Sequence, residues 1–275
     1  MTATHNDKVR IERVEGAAMA VNSYVIDGPD GLVIVDGQLT VSDAQAVRRV
    51  VDAFGRPVAA LVVTHPHPDH YAAAAIILDG LSAPMVATRP VAEVIVRDDA
   101  EKDAIVGPMM GAQWPTARRF PDEVIDAGGI VGLGGLEFAV RDLGGGESGA
   151  DTLWSIDDHT VFSGDVAYNN MHAYLLDGHF REWLVLLEAL DAEFDDETKL
   201  FVGHGESTGK SVLRRQAEYV RCFVDVVEAH ADSDPTERHD AVVAQMRTLV
   251  TDDRLQFLME LSIEPVLTVL RSEQP

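Results

Sequence analysis

Thr64-His65-Pro66-His67-Pro68-Asp69-His70 decides how the rest of this 275-residue chain is read. Histidines and an aspartate crowd together between the apolar run Leu61-Val62-Val63 and the alanine-rich segment Tyr71 to Ile77. The apolar run predicts a buried strand, and the alanines predict the start of a helix. Side chains two apart at a strand end point the same way, so His65 and His67 can grip one metal ion. Asp69 and His70, where the chain turns into the helix, can face a second ion beside it. A polar surface turn has no need of so many ligand types at this spacing.

Working outward, two more loops set ligand-type residues just past apolar strands. Phe162-Ser163-Gly164-Asp165 presents an aspartate, and Phe201-Val202-Gly203-His204-Gly205 a histidine between glycines that let the backbone come close. Either loop alone is weak, because Gly-Asp turns and lone histidines are usually structural. With the first cluster they supply nitrogen and carboxylate ligands from separate strands, one carboxylate being able to bridge two ions.

The remaining pattern is α/β. Strands are predicted over Val9 to Val14, Ala20 to Asp27 and Leu32 to Val35, with a turn at Gly28-Pro29-Asp30-Gly31. A helix follows over Thr40 to Phe54, then the strand Ala59 to Val63 that delivers the histidines. After the strand Pro84 to Thr88, the helix Val91 to Ile105 carries Asp98, Asp99, Glu101 and Asp103 on what reads as a solvated face. Gly107 to Pro121, broken by glycines and prolines, reads as a substrate-covering loop that brings Met109, Met110 and Trp114 to a pocket. Short strands resume from Val124, a helix spans Phe180 to Phe194, and Leu200 to Val202 forms a buried strand. From Thr208 the chain is expected to be helical over 208–231, 236–250 and 253–271. Two similar strand-and-helix blocks, about 1–125 and 126–205, thus precede a helical tail, with no low-complexity linker.

In this order and spacing, the THPHPDH, FSGD and GHG segments resemble the metallo-β-lactamase-fold hydrolase superfamily over residues 20–205. The resemblance implies an αββα sandwich with a dinuclear site, usually two Zn²⁺, at one edge of its two sheets. Residues 1–205 would form that sandwich and 206–275 a C-terminal helical extension packed on the same domain. It further implies His65 and His67 as ligands of the first metal, Asp69, His70 and His204 as ligands of the second, and Asp165 as the bridge. Asn22 and Asp36-Gly37 match the start of the family pattern.

One position departs from it. Where the family usually has a third histidine for the first metal, Gly144-Gly145-Gly146-Glu147-Ser148-Gly149 places Glu147. A carboxylate can ligate zinc at a similar distance, and alkylsulfatases of the family are similar in using glutamate. The alternative is a lost ligand, with one metal bound or none. Glu147 makes the site less positive and would favour Mn²⁺ or Fe²⁺ more than a histidine does. Family position also makes Ala167 to His179 a pocket lining, in which Tyr168 and Asn169 can polarise a carbonyl and His172 is either a proton donor or a structural histidine. Asp69, or a water it orients, is the expected proton shuttle where it is not fully engaged as a ligand.

Composition bounds the function. A formal net charge of -24 argues against nucleic acid and anionic membranes as partners. The single cysteine, Cys222, excludes an internal disulfide and fits a reducing compartment. The N-terminal sequence has no apolar signal-peptide core, so a cytoplasmic location is expected. Gly144-x-Gly146-x-x-Gly149 satisfies a dinucleotide fingerprint, but a strand pattern rather than a helix follows it. The expectation is a metal-dependent hydrolase whose metal-bridging hydroxide cleaves an ester, lactone, thioester or amide of a small, largely apolar substrate. Sulfuric-ester or phosphoester hydrolysis is the second reading, with only Arg118, Arg119 and Arg181 as anion contacts. A catalytically weak ligand-binding or regulatory member is the third. The C-terminal helices could serve a homodimer.

Overall fold

Residues 9–272 are described by a computed structural model. One sheet contains, in spatial order, β1 (Arg10–Glu15), β2 (Asn22–Asp27), β3 (Leu32–Val35), β4 (Val58–Val62), β5 (Met85–Thr88) and β6 (Glu123–Ile125). The other contains β7 (Ile130–Leu133), β8 (Leu136–Gly144), β9 (Asp151–Asp157), β10 (Thr160–Tyr168), β11 (Lys199–His204) and β12 (Thr208–Gly209), again in chain order across the sheet. β1, β2 and β3 pair antiparallel, whereas β3 to β6 pair parallel. In the second sheet only β10 and β11 are parallel. The helices are α1 (Val41–Phe54), α2 (Pro68–Tyr71), α3 (Ala74–Ile77), α4 (Arg89–Met110), α5 (Phe180–Glu193), α6 (Ser211–Ala229), α7 (Pro235–Met246), α8 (Gln256–Leu261) and α9 (Ile263–Ser272).

Strand periodicity explains the layering. Successive side chains point to opposite faces, and the central strands of both sheets are covered on both faces, whereas β7 and β8 leave Ile130, Glu137, Ala139 and Arg141 exposed. Tyr24, Ile26, Val33, Val35, Ala60 and Val62 pack against Phe138, Trp154, Phe162 and Phe201 between the sheets. Their neighbours Val25, Ile34, Leu61 and Val63 pack outward against Ala44, Val47 and Val51 of α1. On the other side Leu153, Val161, Leu200 and Val202 share one apolar cluster with Trp183 of α5, Phe223 of α6 and Val266 of α9. The result is an αββα sandwich with the C-terminal helices laid on its second sheet.

Two irregularities aim the site. The β10–β11 register slips after Phe162↔Phe201 and again before Tyr168↔His204. Such slips bend a strand and re-aim its side chains, and here they flank Asp165. An isolated bridge from Val21 to His204 then ties the two sheets together beside that histidine.

The structure differs from expectation in several places. Asp165, expected just past its strand, lies inside β10, and Thr208–Gly209, expected to open a helix, pair with β11 as β12. Gly107 to Met110 continue α4 through Pro108 instead of opening a loop, and a 3₁₀ turn follows over Gly111–Gln113. Trp114 explains the extra turn: its ring lies against Gly107, and its Nε1 donates to Asp103 Oδ1 at 2.6 Å, clamping the turn across the proline. The acidic face of α4 is not simply solvated. Asp99 is buried and accepts from the Tyr71 hydroxyl at 2.9 Å, and both Asp99 and Asp103 accept from Arg118. The last helical stretch is two helices, α8 and α9, broken near Ser262.

Candidate metal centre

The local fold around the HPHPDH run is set by Asp36. It follows β3 with φ of 65°, in the left-handed region that a non-glycine residue enters only with local compensation. Its Oδ1 accepts from the Thr64 backbone N–H at 2.9 Å and its Oδ2 from Nδ1 of His70 at 2.8 Å. One carboxylate therefore fixes the exit of β4 and the tautomer of His70, turning Nε2 of that ring into the site. Asp36 is a turn residue and an orienting partner at once. His67 is still extended, with φ -75° and ψ 143°, and Pro68 opens α2, so Asp69 and His70 leave the strand direction and enter from a helical turn.

Two groups of donors result. His65, His67 and Glu147 each offer one donor atom, all within 4.8 Å of one another, and Asp69, His70, Asp165 and His204 do the same. In the first group Glu147 Oε2 stands 3.0 Å from Nδ1 of His67 and 3.7 Å from Nε2 of His65. In the second, Asp165 Oδ2 is 3.1 Å and Asp69 Oδ2 3.4 Å from Nε2 of His204. Asp165 spans both groups, its Oδ1 lying 3.4 Å from His70 and its Oδ2 3.9 Å from His65. Glycine is required beside the second group, because a Cβ on Gly203 would run into the Asp165 carboxylate.

The donor atoms pass a direct test of fit to cations. Nε2 of His65, Nε2 of His70, Oε2 of Glu147 and Oδ1 of Asp165 are buried without a hydrogen-bond partner. A buried unsatisfied polar atom costs about 1–3 kcal/mol, and these four converge on two points. Among themselves Asp165, His204 and His70 settle as ion pairs. Burial works to lower His204, but the Asp165 carboxylate carries it up to about 10. Burial pushes Glu147 up to about 8, with the His67 charge opposing it. Burial also tends to raise Asp165, and the charges of His204 and His70 hold it well below the ordinary carboxylate range instead. A dication at either point displaces those protons.

Surrounding contacts hold the donors still. The Tyr168 hydroxyl lies 2.7 Å from Asp165 Oδ2 and 2.9 Å from Glu147 Oε1, its single proton shared between them. Its ring stacks on His204 at 5.0 Å between centroids. Asn22 Nδ2 donates to the carbonyls of Val202, at 2.9 Å, and Gly205, at 2.7 Å, which fixes the loop carrying His204. The loop carrying Glu147 is folded by Asp151, which accepts from the Ser148 N–H at 3.0 Å and hydroxyl at 2.9 Å.

The fold brings together all seven residues expected as ligands, with Tyr168, on the floor and wall of a single cavity or directly beneath it. Met109 and Met110 line that cavity. Other expectations need correction. His172 points away, its Nδ1 3.1 Å from the Tyr219 hydroxyl among residues of the C-terminal helices. Asn169 is turned outward, donating to the Glu206 carbonyl at 2.8 Å and accepting from Arg215 at 3.2 Å. Trp114 packs behind the cavity with Met19, Val21 and Leu39 and does not line it. Arg118 and Arg119 are engaged by Asp99, Asp103 and Asp122, away from the donors. Sequence reasoning missed Asp177, which stands behind His67, and Lys102 of α4, the one lysine or arginine among the cavity-lining residues. No local signal separates either from the chain's many other charged residues.

The model of the metallo-beta-lactamase superfamily matches residues 16–205, and the chain belongs to that family. Curated proteins give no match. Among solved structures, a metallo-beta-lactamase from Pontibacter korlensis is similar at a TM-score of 0.59 and 14% identity, covering 78% of this chain and 94% of that one. A beta-lactamase domain protein from Burkholderia ambifaria is similar at 0.66 and 18%, covering 95% and 86%. The sec-alkyl sulfatase PisA1, as a double mutant, is similar at 0.66 and 17%, covering 96% of this chain and 49% of that one. At these identities the likeness shows the fold. Among the described residues no helix is long and apolar enough to cross a membrane.

Proposed function

We propose that the protein is a hydrolase of a small, largely apolar ester, lactone, thioester or amide, working with two divalent ions, Zn²⁺ first among them. What carries this reading is the convergence of unpartnered, buried nitrogen and carboxylate donors on two points joined by Asp165, at the floor of an apolar cavity. His65, His67 and Glu147 would hold one ion and Asp69, His70 and His204 the other, with Asp165 between. Ions held there would supply an activated water and a Lewis acid for the carbonyl oxygen. Asp69 lines the cavity and is suited to accept and return a proton on the substrate side. Tyr168 has its proton engaged by two carboxylates, so its role here is to position them rather than to polarise substrate. A cytoplasmic setting is supported by the lone, half-buried Cys222.

A second reading, sulfuric-ester hydrolysis, is favoured by the likeness to a sec-alkyl sulfatase over 96% of the chain and by a glutamate among the donors. It ranks second because Lys102 is the single lysine or arginine lining the cavity, whereas a sulfate leaving group calls for more positive charge.

The deciding experiment measures metal content of protein purified without chelator and then assays chromogenic esters, lactones, thioesters and sulfate esters. Close to two ions with carbonyl-ester turnover supports the first reading. Turnover confined to sulfate esters replaces it with the second, and protein that binds no metal points to a ligand-binding member of the fold.

A further inference from the structure

Among the described residues, five of the eleven large apolar side chains left exposed gather in one place. Ile105 is 56% exposed, Met109 61% and Leu261 52%, and the half-open Leu176 and Phe257 stand with them. All five line the same cavity of about 290 Å³ whose floor carries Glu147, Asp165 and His204. Below this rim Met19, Leu39, Val106 and Leu258 continue the apolar wall inward. An apolar path thus leads from buried donors to solvent between the last turns of α4 and α8. Exposed apolar surface collected around a groove, on a protein otherwise this rich in charge, marks a binding site.

We propose that the cavity is an alkyl channel: it takes an unbranched aliphatic chain, one end against the donor cluster and the other emerging, uncharged, past Ile105 and Leu261. Calling that chain part of a substrate rests on the hydrolase reading; the channel itself stands apart from it. Three features select this occupant. Apart from Tyr168, Tyr174 and Phe257, the apolar wall is aliphatic and thioether, with Met19, Met109 and Met110 able to adjust to a flexible chain. Among the lining residues Glu101 adjoins Lys102, so an anionic tail gains one cation and meets one anion there. A net charge of -24 further disfavours a second anionic group on the ligand.

The test is calorimetric titration of the full chain, metal-free and metal-loaded, with 1-alkanols from butanol to decanol. Each methylene drawn into the channel should tighten binding about fourfold, until the chain outgrows the rim. Ile105→Glu and Leu261→Glu change exposed positions and should fold. Each should remove the gain for the longer alcohols while leaving butanol unaltered. Val185→Glu, at a 69% exposed position on α5 outside the cavity, should leave the whole series as it is. A flat series in the parent protein, or a stepwise series indifferent to both rim substitutions, overturns the proposal. So does a rim that proves to be a subunit contact, seen as a change in sedimentation on Leu261→Glu with no alkanol bound. Chromogenic acetate to decanoate esters form a separate arm. Stepwise alkanol binding without ester turnover would sink the hydrolase reading and still support the channel.

Discussion

Asp177 Oδ2 lies 3.1 Å from Nε2 of His67, the ring nitrogen that faces away from Glu147. The Tyr174 hydroxyl donates to the other oxygen of the same carboxylate at 3.1 Å, so Asp177 is itself held in place. A carboxylate behind a ligating imidazole fixes its tautomer and raises its basicity. Asp177→Asn should therefore weaken metal binding at the His65–His67–Glu147 group by roughly 10–100-fold, leaving the group around His204 near its parent affinity. Competition titration against a calibrated chelator reads both. Unchanged affinity at both groups would show that Asp177 is a surface acid near a histidine and nothing more.

Glu147 is the position where family pattern and chain disagree, and its geometry predicts a ligand. Glu147→Gln keeps the size and the contact with Tyr168 but removes the negative charge and the better donor oxygen. Metal content should fall from about two equivalents to about one, the loss coming from the first group. A Glu147→Gln protein that still holds two ions as tightly as the parent would refute the assignment.

How much of this was legible from sequence depends on how far each contact reaches along the chain. The sheets were readable because Val25, Ile34, Leu61, Phe162 and Phe201 alternate or run together in short apolar stretches. The ligands were readable because each sits beside glycine, proline or another ligand. Asp177 was hidden, since its partner His67 is 110 positions away and nothing local distinguishes it from other acids. His172 misled for the converse reason. It lies close in sequence to Asp165, but its ring is taken up by Tyr219, 47 positions on. Trp114 and Met109 differ by burial alone, which an extra helical turn through Pro108 decides.

Removal of metal should destabilise the fold and not merely silence it. Without cations, buried carboxylates and imidazoles must compensate one another, and five atoms of the donor residues have no hydrogen-bond partner. Metal present at about 1,000 times its Kd adds roughly 4 kcal/mol, which for a chain of this size raises Tm by about 10 °C. Scanning calorimetry of chelator-treated and re-loaded protein should show that difference, with a dependence on free metal concentration. Coincident transitions would mean that the donor groups do not bind metal in the folded protein.

His172 offers a pH test that is separate from the donors. Burial, with Arg247 adding to it, holds the imidazole below its ordinary 6.5. Between that depressed folded value and the ordinary unfolded one, the unfolded chain binds more protons. Stability contributed by the neutral ring is thus present above the unfolded value and is lost as pH falls below it. His172→Gln removes the titrating group while a side-chain amide can still meet the Tyr219 hydroxyl. The urea midpoint of the parent should consequently fall more steeply than that of the variant on going from about pH 7 to about pH 5. Metal content and ester turnover per bound metal should match between the two. Parallel midpoint curves would contradict the depressed imidazole, and a loss of metal or turnover in His172→Gln would return the residue to the active site.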